Sequence, residues 1–326
     1  MRRIRIGVLG CASIARRSMI PAILELQNYY DLIAVASRTE AKAKELAEIF
    51  GCDAITGYES LILRQDIDAL YIPLPTGLHL EWITKALNQG KHVYAEKSIA
   101  MNAKDARKMV ALAKTSNCSL MEGYMFQYHQ QHKKVKQMLN KGVVGEPHII
   151  RASFGFPPFQ DHNNFRYDNI IGGGALKDAA GYVLRCVNFL CGNIFSVKAS
   201  SIFYDHRGTS IFGSAYLTSN KRISAEIAFG FDNFYQCNYE IWGSKGKITC
   251  LKAFTPKPNE STHILLETPD FQKDIVIAPD NHFKKAMTEF FHTCYDAEKR
   301  EKHYNEIVFQ AEGLDTMERL SKEKQK

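Results

Sequence analysis

Up to about residue 122 the sequence alternates short apolar runs with amphipathic stretches, and that alternation leaves few folds open. Arg5–Leu9, Leu32–Ala36, a weaker run at Asp53–Thr56, Ala69–Ile72, Lys91–Ala95 and Ser119–Met121 read as strands. Ile14–Leu26, Glu40–Phe50, His79–Asn88 and Ala103–Thr115 carry the helical period between them. Strands that are apolar on both faces and separated by helices build a parallel, doubly wound sheet.

From about residue 145 the rhythm changes. His148–Phe154, Val197–Tyr204, Ser210–Thr218, Arg222–Ala228, Gln236–Trp242, Lys247–Leu251, His263–Glu267 and Lys273–Ile277 follow one another at short spacing. Leu217–Arg222 and Gly243–Gly246 are turn signals, so the strands beside them pair as hairpins. Gly243-Ser-Lys-Gly-Lys247 lacks the spacing of a phosphate-binding P-loop. Two helical stretches, about Asp280–Glu298 and Asn305–Ser321, close the chain, and the lysine-rich tail 321–326 reads as a frayed end. A chain of 326 residues exceeds one ordinary core. Two domains are expected, 1–122 and 123–326.

Charge and cysteine content exclude several functions. The net charge is +7, but the basic residues mostly alternate with acids at helical spacing, as in Glu40–Glu45 and Glu298–Lys302, which makes solvated faces rather than a nucleic-acid surface. The excess still favours small anionic ligands. Eight cysteines form no C-x-x-C pair and read as reduced core thiols. No apolar run reaches the ~18–20 residues that span a bilayer. Met1-Arg-Arg-Ile-Arg-Ile-Gly7 enters a strand without a signal-type apolar segment. A cytoplasmic protein with no membrane or nucleic-acid partner is expected.

The first strand ends in Gly10-Cys11-Ala12-Ser13-Ile14-Ala15. Gly10, Ala12 and Ala15 take the three small positions of a dinucleotide fingerprint: tight turn, close backbone approach to a pyrophosphate, and close helix–sheet packing. Ala12 leaves less room than glycine. The second strand ends Ser37-Arg38-Thr39 with Lys42 following, where a carboxylate would select the free ribose hydroxyl of NAD. A hydroxyl and two cations there favour NADP(H) over NAD(H); the plainer reading is a helix cap beside a surface Arg. After the fourth strand, Pro73-Leu74-Pro75-Thr76 must be a loop at the ligand edge, and its residues are candidate cofactor walls. His79 falls in the next helical turn, with a packing role as good as a cofactor one. The fifth strand ends in Glu96-Lys97-Ser98. Gly172-Gly-Gly174 reads as a flexible entry to a helix from Ala175 to about Leu190, which carries Asp178 and Tyr182 four residues apart. His129 and His132 lack a third ligand, so no metal is expected.

Gly10–Ala15, Pro73–His79 and Ala95-Glu96-Lys97 together resemble the glucose–fructose oxidoreductase/inositol dehydrogenase (Gfo/Idh/MocA) family. The resemblance covers essentially the whole chain. It implies an α/β N-terminal Rossmann domain plus an α+β C-terminal domain with a large, mostly antiparallel open sheet. It also implies a homodimer or homotetramer formed through that sheet, whose bare face would expose excess apolar surface. The family signature is Glu-Lys-Pro; here Ser98 replaces the proline. Tyr124-Met-Phe126, His129, Gln131-His132, Phe154–Pro157 and Gly172–Asp178 are most similar to sugar-nucleotide 3-ketoreductases of deoxysugar biosynthesis, which use a Tyr where Tyr182 stands.

The resemblance implies that Lys97, Asp178 and Tyr182 gather over a nicotinamide ring. Lys97 would polarise a sugar carbonyl, Tyr182 would deliver the proton, and Asp178 would orient Lys97. Glu96 would brace its strand end beside the cofactor. Tyr124, Phe126, Arg166 and Tyr182 would contact a nucleotide-linked sugar within an aromatic loop, 156–167, with Arg166 on phosphate. The rival readings are oxidation of a free polyol or sugar by the same fold, and a dinucleotide-binding regulator without catalysis.

Overall fold

The computed structural model describes residues 1–161, 164–192 and 195–324. His162 and Asn163 of the aromatic loop, and the last two residues of the tail, lie outside the described residues. The chain divides into two compact units, Met1–Gly123 with Phe283–Ala311, and Tyr124–His282 with Glu312–Lys326.

The first unit is built on six parallel strands: β1 (Ile4–Leu9), β2 (Tyr30–Ser37), β3 (Asp53–Thr56), β4 (Ala69–Ile72), β5 (His92–Ala95) and β6 (Leu120–Glu122). Their order is β3-β2-β1-β4-β5-β6. This is the doubly wound order whose direction reverses between β1 and β4, and ligands bind at the carboxyl edge of such a reversal. Leu9, Ala34, Ile72 and Val93 from the sheet pack with Ile83, Met109 and Val110 from the helices and with Tyr304 and Ile307. The last two lie in the helix Ala297–Lys324. The Tyr304 hydroxyl donates to the Cys118 carbonyl, and Tyr30 Oη donates to the Met287 carbonyl at 2.7 Å.

The second unit carries eight strands: β7 (Pro147–Gly155), β8 (Phe195–Tyr204), β9 (Ser210–Ser219), β10 (Ser224–Gly230), β11 (Gln236–Gly243), β12 (Lys247–Cys250), β13 (Thr262–Glu267) and β14 (Gln272–Ile277). They run in the order β14-β13-β12-β11-β7-β10-β9-β8, with β7 and β10 parallel and the other pairs antiparallel. Both expected hairpins are present, joining β9 to β10 and β11 to β12. In β9 the alternation is strict: Gly213, Ala215 and Leu217 are buried while Phe212, Ser214 and Tyr216 are exposed. On the covered side Phe126, Phe154 and Phe254 meet ring to ring.

Two local expectations are corrected, and one helix is added. The closing helices divide at Asp296, giving His282–Tyr295 and Ala297–Lys324. The Asp296 carboxylate accepts from the backbone N–H groups of Glu298 and Lys299, at 2.9 and 3.1 Å, and so caps the second helix. The tail is not frayed at Ser321: it is buried in that helix, and its hydroxyl accepts from the Ile202 N–H at 2.8 Å. A helix the sequence reading passed over, Gln130–Asn140, starts where His129 Nδ1 accepts the Gln131 N–H at 3.2 Å.

Three imidazoles, His79 and His132 fully buried and His92 half-buried, bear on acid stability. Desolvation pushes His79 and His92 down to about 4 and His132 to about 3. His132 is held between the Tyr239 hydroxyl at 3.0 Å and the Ala253 carbonyl at 2.9 Å. The unfolded chain takes up protons near ~6.5 that the folded chain refuses, so stability falls as pH drops below ~6.5. Each ring costs about 1–2 kcal/mol between pH 7 and 5. Denaturant unfolding should therefore show a clear loss of stability across that interval, and a flat profile would contradict the burial of these rings.

Candidate active site

The carboxyl edge of the parallel sheet is built from close backbone approaches. Gly10 has φ of +128°, and a Cβ there would lie 2.8 Å from Leu74 Cδ2. A backbone at that φ suits glycine and strains a residue with a side chain, and it brings the loop after β1 against Leu74 of the loop after β4. Pro73 and Leu74 are buried, half-buried Pro75 precedes the helix Thr76–Asn88, and Thr76 opens it. Beyond Gly10, Ala12 and Ile14 are half-buried and Ser13 is exposed. The helix then widens to a π turn over Ala15–Met19.

At the end of β2 a cavity of about 380 Å³ is lined by Cys11, Ser37, Arg38, Thr39, Lys42 and Tyr58. Ser37 Oγ accepts from the Thr39 N–H at 3.2 Å, and no side chain caps the helix that follows. The plain capping role weighed for Ser37 and Thr39 is therefore not the one they take. Arg38 and Lys42 are exposed at this cavity, which no carboxylate lines. Cys11 is half-buried with its thiol facing the Lys42 carbonyl at 3.5 Å, and burial raises its pKa. Tyr58 was missed from the sequence. Its ring stands edge-on to Trp82 at 5.1 Å, and only its place just after β3 could have pointed to it.

His79 is fully buried, with Nε2 2.8 Å from the Leu74 carbonyl and Nδ1 3.1 Å from that of Ser98. A neutral ring donates from one nitrogen only. His79 is thus a strut between two loops of the ligand edge rather than a wall facing the cofactor. Glu96 accepts from the Tyr71 hydroxyl at 2.8 Å, which braces the end of β5. Lys97 follows, half-buried, and the Lys97–Ser98 peptide is cis. Ser98, in the place of the signature proline, is buried.

Asp178, Tyr182 and the aromatic groups belong to the second unit. Asp178 lies on a π turn, Leu176–Ala180, and Tyr182 in the α-helix Gly181–Cys191, so the expected single α-helix is wider at its start. Single π turns recur at functional sites. Tyr182 is 6% exposed. Its ring meets Phe154 at 4.9 Å, Tyr124 at 5.5 Å and Phe126 at 5.9 Å, and its hydroxyl donates to Met125 Sδ at 3.8 Å. The expected substrate residues Tyr124, Phe126 and Tyr182 therefore form one cluster.

Two further expectations are revised. Gly172–Gly174 is a packed turn, not a flexible entry: a Cβ on Gly173 would lie 2.5 Å from the Arg166 carbonyl, and Gly174 has φ of +100°. Arg166 Nε donates to Asp178 Oδ2 at 2.8 Å, so that face of the guanidinium is already engaged.

The first part of the chain, residues 4–124, matches the model of an oxidoreductase family with an NAD-binding Rossmann fold. Residues 132–249 match that of a GFO/IDH/MocA C-terminal domain. A dTDP-3,4-didehydro-2,6-dideoxy-alpha-D-glucose 3-reductase from Saccharopolyspora spinosa is 41% identical over 88% of this chain and 86% of its own. KijD10, a 3-ketoreductase from Actinomadura kijaniata solved with NADP and TDP-benzene, superposes with a TM-score of 0.93 at 34% identity, covering 98% of both chains. A tyrosine-to-phenylalanine variant of that enzyme, with the same two ligands, gives the same TM-score of 0.93.

The cavity beside Arg38 makes a test possible without substrate. Arg38→Ala should weaken NADPH binding by roughly tenfold or more, the value of a charge-assisted phosphate contact, and leave NADH within about twofold. Fluorescence titration of both cofactors reads this, and equal losses for the two would remove Arg38 from the 2′-phosphate.

Proposed function

The chain belongs to the Gfo/Idh/MocA oxidoreductase family, and from that premise we propose that it reduces a keto group on a nucleotide-linked deoxysugar with NADPH. The observation that carries the reading is the likeness, along nearly the whole of both chains, to a ketoreductase solved with NADP and TDP-benzene. The residues at hand fit the cofactor. Gly10 leaves the backbone bare at the fingerprint turn, and Arg38 and Lys42 stand at a cavity that no carboxylate lines.

NADPH, when bound, supplies the hydride that reduces the carbonyl carbon. As negative charge builds on the carbonyl oxygen, Lys97 donates a hydrogen bond to it. Tyr182 gives the phenolic proton to the same oxygen, leaving an alcohol and a phenolate that solvent reprotonates. The aromatic packing of Tyr182 against Tyr124, Phe126 and Phe154 fixes the ring, so the hydroxyl is presented in one direction. Glu96, tied to Tyr71, keeps the strand end from which Lys97 projects in place. Tyr124 and Phe126 are fully buried, so they back the Tyr182 ring from inside rather than touch the sugar nucleotide.

The oligomer proposed is a homodimer or homotetramer joined through the sheet of the second unit. Phe203, Phe212, Tyr216 and Trp242 are exposed on its strands. A groove of about 530 Å³ on these strands is lined in part by Arg151, Tyr216 and Glu226. No described helix is long and apolar enough to cross a membrane. A cytoplasmic site of action is the reading that suits a biosynthetic reductase.

Following NADPH absorbance against dTDP-linked keto sugars tests the activity. Tyr182→Phe should lower kcat by ~10²–10⁴-fold while NADPH affinity stays within about twofold. Unchanged turnover would take the acid role away from Tyr182. Tyr216→Asp, which puts charge on the bare sheet, should shift sedimentation toward the monomer; an unchanged oligomer would move the interface elsewhere.

A further inference from the structure

The ion pair between Arg166 and Asp178 joins two segments that the proposed reaction uses for different ends. Asp178 stands on the π turn that leads into the Tyr182 helix, while Arg166 belongs to the aromatic loop before it. Besides the 2.8 Å bond to Asp178, the guanidinium lies 5.0 Å from the ring centre of Phe159 and 4.7 Å from that of Phe165. Both are cation–π distances. The Arg166 backbone is held as firmly: its N–H donates to Asn164 Oδ1 at 3.1 Å and its carbonyl accepts from the Gly174 N–H at 2.7 Å. Gly173 packs against that carbonyl where no side chain fits, and its own N–H donates to the Asp168 carbonyl at 2.7 Å. The triple glycine is what lets the chain close around Arg166. With its head on a carboxylate between two rings and its backbone in the turn, Arg166 ties loop to helix.

We infer that Arg166 is a positioning residue: through Asp178 it holds the 164–174 turn and the start of the Tyr182 helix in working geometry, rather than contacting the phosphates of the substrate. The inference takes the reaction from the proposed ketoreductase function, while the clasp itself rests on the geometry above. Asp178 is 18% exposed and Arg166 34% in their side chains, so the pair is partly sheltered from solvent. A displacement of about 1 Å at a reacting group can cost ~10²-fold in rate.

The test compares Arg166→Met, Arg166→Lys, Asp178→Asn and the Arg166→Met/Asp178→Asn double variant in NADPH-dependent reduction of a dTDP-linked keto sugar. Arg166→Met should lower kcat roughly 10- to 100-fold with the sugar-nucleotide KM changed less than about threefold. Arg166→Lys should recover part of the loss. The double variant should be no slower than Asp178→Asn alone, because the two residues act as one unit. Losses that multiply, or a KM raised about tenfold with kcat kept, would overturn the inference and return Arg166 to a phosphate contact. Should the wild type reduce no such ketone, the proposed reaction falls, and the clasp is read by hydrogen exchange instead. The Gly173 and Gly174 amides should then exchange at least about tenfold faster in Arg166→Met, and equal exchange would overturn the clasp.

Discussion

The bare α-carbon of Gly10 is the constraint on which the ligand edge of the first unit depends. Its φ of +128° is a conformation that residues with a side chain rarely adopt, and in it the loop after β1 lies against Leu74 of the loop after β4. His79, buried beside this loop, donates to one of the Leu74 and Ser98 carbonyls and packs against the other, which keeps the loop next to the backbone after Lys97. The turn that binds pyrophosphate in such folds, the proline loop and the lysine-bearing strand end are thereby parts of one backbone arrangement. A lysine at the end of a strand is common; a lysine whose neighbours are located this tightly is one that can be aimed.

Much of this was legible from the sequence because the signals are local. Short runs of three to five residues between helical patterns marked β1 to β6 closely, and Asp53–Thr56 and Ala69–Ile72 matched to the residue. The cationic end of β2 was equally readable, since Ser37, Arg38 and Lys42 reach the cavity through the strand and the first turn of one helix. Contacts between distant segments were not readable. Tyr58 joins that cavity from beyond β3, and nothing in its local pattern distinguishes it from an ordinary helical tyrosine. The amphipathic stretch after Asp296 announced a buried face, but not that Tyr304 and Ile307 would pack in the first unit while Ser321 reaches the backbone of β8. Periodicity says that a face is buried; it does not say against what.

The glycines after the aromatic loop show the same limit from the other side. Three in a row carry no side-chain information, and chain freedom was the natural reading. The structure spends that freedom on closeness: the Gly173 and Gly174 N–H groups bond to the Asp168 and Arg166 carbonyls, both at 2.7 Å. Glycine thus serves both edges alike, allowing backbone to meet Leu74 in one unit and backbone to meet backbone in the other.

The choice of tyrosine at 182 bears on the direction of the chemistry. A general acid must hold its proton at the working pH and release it only when charge develops on the acceptor. An unperturbed phenol, titrating near ~10, is nearly all protonated at neutral pH, whereas an imidazole near ~6.5 is mostly deprotonated and ready to accept a proton. A phenol in this place is supplied in the form that reduction of a ketone consumes; an imidazole is supplied in the form that oxidation of an alcohol requires. The cost of the phenol is its weak acidity, which the reaction must offset by placing positive charge where the departing proton leaves a negative one. In the proposed reaction Lys97 would be that cation, and the lysine and the tyrosine would then be a matched choice. Either alone would be an ordinary residue at the end of a strand or in the first turn of a helix.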